Sequence, residues 1–454
     1  LAGVAGRAFP QSEVSSSAAL VGVTSSTAGP RLIWEKSFEE EIESVVMSKD
    51  GERVVVADKG GFQAPNREHF TVTEKGGLLR YYDASGRELW SYKYKRPPRE
   101  KLRPALYTPA GAKPLDKYRM TRVAMSEDGQ RIACALEQLH KWGKEVIETS
   151  DWRTHEEEFS GFFHSKILLL DSRGNLLWEF KAAGYPRISP DGKHVLVVPW
   201  DDEGGGPFDK FYFLDARGKL LWTEPAMRAP EGGFSGDGRY VFTKTTLFNL
   251  KHDMVWKLGM WEFFLHVKNG IAYVSKFFES PDCRHSDMNV SIKLQVYDLE
   301  TKKLLWEKES LTLGLKGFSK PCYFSDDAEI YGGVDLFGIS SRYLVAPWHG
   351  RASILNNKTG ATIREWVYTE DYQKKLSGLF PVLTENELHL FLFGNDQLQF
   401  YAMDGKEKWA VPFFDGYAYR SSEEFNGLIA RSGESVVVVL AKTIRFYDNS
   451  GWLE

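Results

Sequence analysis

The side chains best suited to chemistry in this 454-residue chain are tryptophans, histidines and carboxylates gathered in a few long connecting segments. Segment 137–162 (EQLHKWGKEVIETSDWRTHEEEFSGF) carries Trp142, Trp152, His140, His155 and the run Glu156–Glu158. Segment 200–209 reads WDDEGGGPFD and segment 347–351 reads PWHGR, which supplies Trp200, Asp201, Asp202, Trp348, His349 and Arg351. Aromatic rings beside carboxylates and a guanidinium can stack on sugar rings or anchor a protein partner. The same tryptophans can equally pack under their own loops. Asp201, Asp202, Glu203 and Asp209 offer oxygen ligands compatible with calcium, but the glycine and terminal glutamate of an EF-hand loop are missing, and a solvated acidic loop explains them as well. His140, His155, His285 and His349 would make a transition-metal site only if the fold collected them. No HxxxH or HExxH spacing supports that.

Bulk properties narrow the classes. Lys and Arg number 58 against 62 Asp and Glu, a net charge of −4, which argues against a dedicated nucleic-acid binder. No apolar run reaches the length of a membrane-spanning helix, so no transmembrane segment is expected. An aromatic share of 14% within 42% hydrophobic residues suits stacked sheets.

The elements that must position the candidate residues announce themselves by repetition. An Asp, a tight turn with Gly and a short strand ending in Trp recur as YDASGRELW (82–90), LDSRGNLLW (170–178), LDARGKLLW (214–222) and YDLETKKLLW (297–306). Weaker copies are FNLKHDMVW (248–256), LNNKTGATIREW (355–366) and AMDGKEKW (402–409). Before them stand hairpins with Asp-Gly at the tip, as in SVVMSKDGERVVVAD (44–58), RVAMSEDGQRIACAL (122–136), RISPDGKHVLVV (187–198) and GFSGDGRYVFT (233–243). Glycine supplies the positive φ such turns need. Two successive hairpins make four antiparallel strands, one propeller blade.

The anchors Trp34, Trp90, Trp178, Trp222, Trp256, Trp306, Trp366 and Trp409 count eight blades over residues 31–454, with seven as the alternative if the fourth or sixth is misread. These tryptophans are expected to be structural and to fill the space between blades, while Asp83, Asp171 and Asp215 bind turn amides. The last blade lacks its outer strand at the C-terminus, and RLIWEKSF (31–38) is expected to complete it by pairing onto 443–448, closing the ring.

The Asp-x-x-Gly-x-x-x-Trp hairpins resemble pyrroloquinoline-quinone-type repeats, and the Ser-x-Asp-Gly hairpins resemble the WD40-like repeats of bacterial periplasmic propellers. The resemblance implies an all-β propeller in which Trp and Gly dock one blade onto the next. It implies nothing about activity. The adjacent cysteines common beneath a quinone cofactor are absent, as are a CxxCH haem motif and a GxSxG elbow.

In a propeller the short Asp-Gly and Asp-x-x-Gly turns share one face. The long insertions 59–76, 95–117, 137–162, 200–209, 279–289 and 310–334 share the other, which makes the loop-rich face the place to expect function. Cys283 and Cys322 fall in neighbouring insertions, so a disulfide is geometrically reasonable. It would close a loop of about 40 residues and contribute about 3–4 kcal/mol, and would fit an oxidising compartment. Cys134, within RIACAL, reads as a buried free thiol.

Residues 1–30 form a Ser/Ala/Gly-rich arm whose composition suggests the mature start or signal remnant of an exported protein. Its AALVGVTSST stretch (18–27) could add to a sheet edge in the same molecule or in a neighbour. The favoured reading is therefore a non-catalytic extracytoplasmic propeller (periplasmic, cell-surface or secreted) that binds a protein or carbohydrate partner through its loop-rich face. No cofactor is required, with calcium left open. Two alternatives remain: a structural subunit of an extracellular assembly joined through residues 1–30, and a propeller enzyme, quinone-dependent or polysaccharide-active.

Overall fold

A computed structural model of the chain describes residues 31–58, 62–66, 69–72, 77–98, 100–101, 111–148, 154–199, 210–226, 232–259, 262–279, 290–311, 338–339, 342–348, 351–367, 380–383, 389–393, 397–402, 407–412, 435–440 and 442–448. Among these residues every regular element is a strand. Seven sheets are four-stranded antiparallel meanders in strict chain order.

The first sheet is Ile42–Met47, Arg53–Asp58, Leu79–Asp83 and Glu88–Tyr92. The second is Lys113–Met125, Arg131–Glu148, Thr154–Asp171 and Leu176–Phe180. The third is Tyr185–Ile188, His194–Val198, Lys210–Asp215 and Leu220–Pro225. The fourth, fifth, sixth and seventh begin at Gly232, Glu262, Gly338 and Phe380 and end at Lys257, Leu311, Val367 and Pro412. An eighth, three-stranded sheet joins the two ends of the chain. Arg31–Ser37 pairs with Thr443–Asp448, Trp34 opposite Phe446, and Thr443–Asp448 pairs with Ser435–Leu440.

Strand-period patterning explains how the sheets stack. Ile132, Cys134 and Leu136 face a core shared with Val55, Leu79 and Tyr81 of the first sheet. The alternate residues Ala133 and Ala135 face Val195, Val197 and Leu214 of the third. The second strands Arg53–Asp58 and His194–Val198 are buried on both faces, so each reads as a continuous apolar run and not as an alternation. The same division repeats at the next three seams, and the terminal sheet packs Val437, Val439, Ile444 and Phe446 onto Ile42, Val54, Val56 and Tyr82 of the first sheet.

Two side-chain devices fix the turns. In the first hairpins Ser48, Ser126, Ser189 and Ser235 each donate to the aspartate two residues on, at 2.5–2.7 Å, and accept the amide five residues on, at 2.9–3.0 Å. In the second hairpins Asp83, Asp171 and Asp215 each accept the amides two and four residues on, at 2.9–3.1 Å. Such side-chain caps replace the ladder bonds a turn forfeits.

The tryptophans join one sheet to the next. Trp90 Nε1 donates to Ser172 O (2.9 Å), Trp178 to Ala216 O (3.1 Å) and Trp306 to Asn357 O (2.7 Å), in each case the carbonyl just after the capping residue of the next sheet. Trp34 makes the same bond from the terminal sheet to Ala84 O of the first, at 3.0 Å. Beneath each ring lies a positive-φ glycine: Gly86, Gly174, Gly218 and Gly360, where an added Cβ would stand 2.5–2.9 Å from the indole.

The fourth seam, counted from the terminal sheet and joining the third sheet to the fourth, departs from the rule. His252, with φ 72°, occupies the glycine position, its ring stacked on Trp222 at 4.5 Å and 10°, and Trp222 Nε1 has no hydrogen-bond partner. Trp256 instead meets Phe264 and Tyr297 edge-on. Trp366 and Trp409 lie in strands opposite Ala352 and Phe400, and their side chains fall outside the described residues.

Two insertions expected as loops are ladders. Residues 62–66 and 69–72 pair as a short hairpin inside 59–76. Segment 137–162 continues the second sheet: Arg131–Glu148 and Thr154–Asp171 pair from Arg131↔Asp171 out to Glu148↔Thr154, with register shifts at His164/Lys166 and Glu158/Phe159. Lys113–Met125 flanks that hairpin as a third strand, with Lys113 opposite Lys141. Backbone pairing carries this tongue past the buried run Ile132–Leu136, into sequence without apolar alternation to mark a strand.

Candidate functional site

The tongue leaves the second sheet at the end opposite its short turns. Trp142 sits in it opposite Phe159, and His155 opposite Ile147. Both therefore belong to one hairpin but not to one pair. Trp348 and Arg351 are brought together as paired strand residues at a tight turn. Trp152, Trp200, Asp201, Asp202 and His349 lie outside the described residues, as do Glu203, Asp209, His285, Cys283 and Cys322. Among the described residues no group of three or more His, Cys, Asp or Glu side chains is placed to hold a metal ion.

The described geometry instead centres on the base of the tongue. Glu137 follows the apolar run IACAL, at the point where the second strand leaves the core, and is 7% exposed. Arg119 contacts its Oε2 through both Nε and Nη2 at 2.7 Å, Thr121 Oγ1 donates to Oε1 at 3.2 Å, and His164 Nε2 stands 3.8 Å from Oε1. Burial opposes ionisation of Glu137, but the Arg119 guanidinium, His164 and the hydrogen bonds outweigh it and hold the carboxyl below its usual range. His140 is buried one turn of the pleat outward, its Nδ1 3.1 Å from Gln138 O. Desolvation depresses its pKa.

A second network braces the outer side. Lys166 Nζ donates to both carboxylate oxygens of Glu100 (2.8 and 2.9 Å), to Glu179 (2.6 Å) and to Tyr94 OH (3.0 Å). Desolvation works against the ammonium, yet these partners raise its pKa. Arg96 forks onto Asp116 at 3.0 and 3.1 Å, and so pins the segment entering the tongue to its first strand. Two carboxylates on one lysine and a bidentate arginine give the tongue a fixed root.

The inner edge of the sheets continues this cluster. His164 meets the Tyr185 ring edge-on at 6.2 Å, and the Arg122 guanidinium lies over the same ring at 4.8 Å. Val123 N donates to Ser44 Oγ at 3.2 Å, so the first strands of three successive sheets converge here. These residues were missed by the sequence reading, which weighted rare residue types in long segments. The one signal available was Glu137 itself, a charge placed directly after a fully buried run.

The opposite face is bare. Lys49 N donates to Glu127 O and Glu127 N to Pro190 O, which links the Asp-Gly turns of three sheets. A shallow groove lined by Asn269, Asp298, Glu300 and Lys358 lies between the fifth and sixth sheets on this side.

No protein-family model and no curated protein matches the chain. Among solved structures it is similar to the dihydro-heme d1 dehydrogenase NirN in complex with DHE, at 14% identity over 82% of this chain and 67% of that one, TM-score 0.44. It is also similar to the Dos1 propeller, at 11% identity over 93% of this chain and 96% of that one, TM-score 0.49.

Proposed function

We propose that the chain is an eight-bladed β-propeller, closed by its own two ends, that acts outside the cytoplasm as a non-catalytic binding scaffold. The closed ring is supported by Trp34, which reaches the first sheet with the same indole-to-carbonyl bond that links consecutive sheets elsewhere. The extracytoplasmic setting is supported by the composition of residues 1–30.

One observation carries the binding role. Among the described residues elaboration lies at one end of the sheets, where the tongue extends a ladder from a braced root while the turn end stays minimal. An extended sheet of this kind presents backbone edges and side chains from both faces to a protein or carbohydrate partner.

The test is to shorten the tongue by replacing residues 138–163 with a two-residue Asn-Gly turn. Intact and shortened proteins are then compared on a polysaccharide panel and against cell-envelope proteins by quantitative cross-linking. The shortened protein is expected to keep its β circular-dichroism spectrum and lose binding. Equal binding by both, or turnover of a quinone-dependent or polysaccharide substrate, would refute the proposal.

A further inference from the structure

Arg122 stands out on the inner edge of the second sheet. Its φ is 49°, inside a strand whose register to Arg131–Glu148 shifts between Thr121 and Ala124. A long side chain with a Cβ seldom occupies that region, and its persistence at one position marks a residue held for what its side chain does. The guanidinium carbon lies over the Tyr185 ring, 4.8 Å from its centroid, yet Arg122 remains exposed. Stacking uses the face of a guanidinium and leaves its rim of N–H donors open.

The surroundings keep that rim available. The nearby carboxylate, Glu137, is already taken by Arg119, Thr121 and His164. Tyr185 is steadied by His164 at its edge. Arg187, also exposed, follows two residues along the Tyr185 strand and hence on the same face, about 7 Å away along it. Among the described residues neither Arg122 nor Arg187 has a carboxylate within ion-pair distance. Two guanidinium groups with no carboxylate partner among the described residues, one of them on a positive-φ backbone beside an aromatic ring, form a receptor for a planar anion.

We propose that Arg122, Tyr185 and Arg187 form a binding site for a small carboxylate-bearing ligand at the inner edge of the second and third sheets. The carboxylate pairs with the open rim of Arg122, Arg187 supplies the second charge, and Tyr185 orders the first guanidinium. The site deepens the loop-face reading but uses none of the residues of the tongue beyond its root.

The experiment is isothermal titration of the full chain with glucuronate, succinate and inorganic phosphate, on the wild type, Arg122→Gly, Arg122→Lys and the tongue-shortened protein. Saturable one-to-one binding of a carboxylate is expected. It should weaken by about 10- to 100-fold in Arg122→Gly, as for a lost charge-assisted bidentate contact, and by less in Arg122→Lys. Glycine suits the backbone at 122, so Arg122→Gly should melt at or above the wild-type temperature. Absence of saturable carboxylate binding, binding of phosphate alone, or unchanged affinity in Arg122→Gly would overturn the proposal. A lower melting temperature with unchanged affinity would make Arg122 purely structural. The shortened protein separates the two readings, because it keeps the carboxylate site even if it loses its macromolecular partner.

Discussion

Trp34 stacks on Phe446 with ring centroids 5.3 Å apart and planes within 16°, although the two residues come from opposite ends of the chain. The neighbouring pair Glu35 and Arg445, 410 residues apart, is joined at 2.6 Å. Trp34 also reaches forward to the first sheet through Ala84 O and covers Gly86. One side chain thus binds the terminal sheet internally and to its neighbour.

Replacing that ring should be costly. Trp34→Ala is expected to destabilise the protein by about 3–5 kcal/mol, the range for truncating a large buried aromatic. Gly86→Ala should also destabilise, because the new Cβ would meet Trp34 Cγ at 2.5 Å on a backbone with φ 80°. Urea denaturation of both variants checks this, and wild-type midpoints would contradict it.

The fourth seam makes a prediction of opposite character. His252 carries the positive φ that Gly86, Gly174, Gly218 and Gly360 hold at four other seams and compensates by stacking on Trp222 and contacting Glu224 at 3.1 Å. His252→Ala keeps the backbone strain and loses both contacts, whereas His252→Gly loses the contacts but relieves the strain. The glycine variant should therefore be the more stable of the two by about 1 kcal/mol. Paired denaturation curves decide the order.

Glu137 links stability to acid. Its folded pKa is depressed by Arg119 and His164. The stabilisation is therefore present above the unfolded value of about 4.3 and is lost as the pH falls through the lower folded value. Glu137→Gln should destabilise the protein at neutral pH by about 3 kcal/mol, since it removes the buried carboxylate that Arg119 contacts. It should also flatten the loss of stability below pH ~4.3 relative to wild type. Unfolding measured from pH 7 down to pH 3 tests both parts, and parallel curves would exclude Glu137 as the acid-sensitive group.

Cys134 should be inert. It is fully buried, and desolvation pushes its thiol up to about 12. In a Cys283→Ser, Cys322→Ser background, a maleimide is expected to label nothing in the native protein and one site after denaturation. Rapid native labelling would show that the seam between the first and second sheets opens.

Much of this architecture was legible because the turns carry local chemistry. Ser-x-Asp-Gly and Asp-x-x-Gly spell out hydrogen bonds made within five residues, and the same bonds recur at Ser48, Ser126, Asp83 and Asp171. Trp four residues after Gly marks the strand that docks on the next sheet. The tongue was not legible. HKWGKEVIE and THEEEFSGF carry no apolar alternation in sequence that would record a strand, and their pairing is seen only in the register of the hairpin and of the flanking strand Lys113–Met125. The inner-edge site was hidden for a different reason. Arg119, Arg122, Glu137, His164 and Tyr185 are single residues on four strands of two sheets, and only the stacking of those sheets brings them together.

The shared terminal sheet has a consequence for biosynthesis. Strand Arg31–Ser37 leaves the ribosome well before its partner Thr443–Asp448. The 410 positions separating Glu35 from Arg445 take about 20–80 s to translate at about 5–20 residues per second. Throughout that interval the nascent polypeptide exposes Trp34 and an unsatisfied strand edge. Emergence of Thr443–Asp448 should therefore govern the yield of folded molecules.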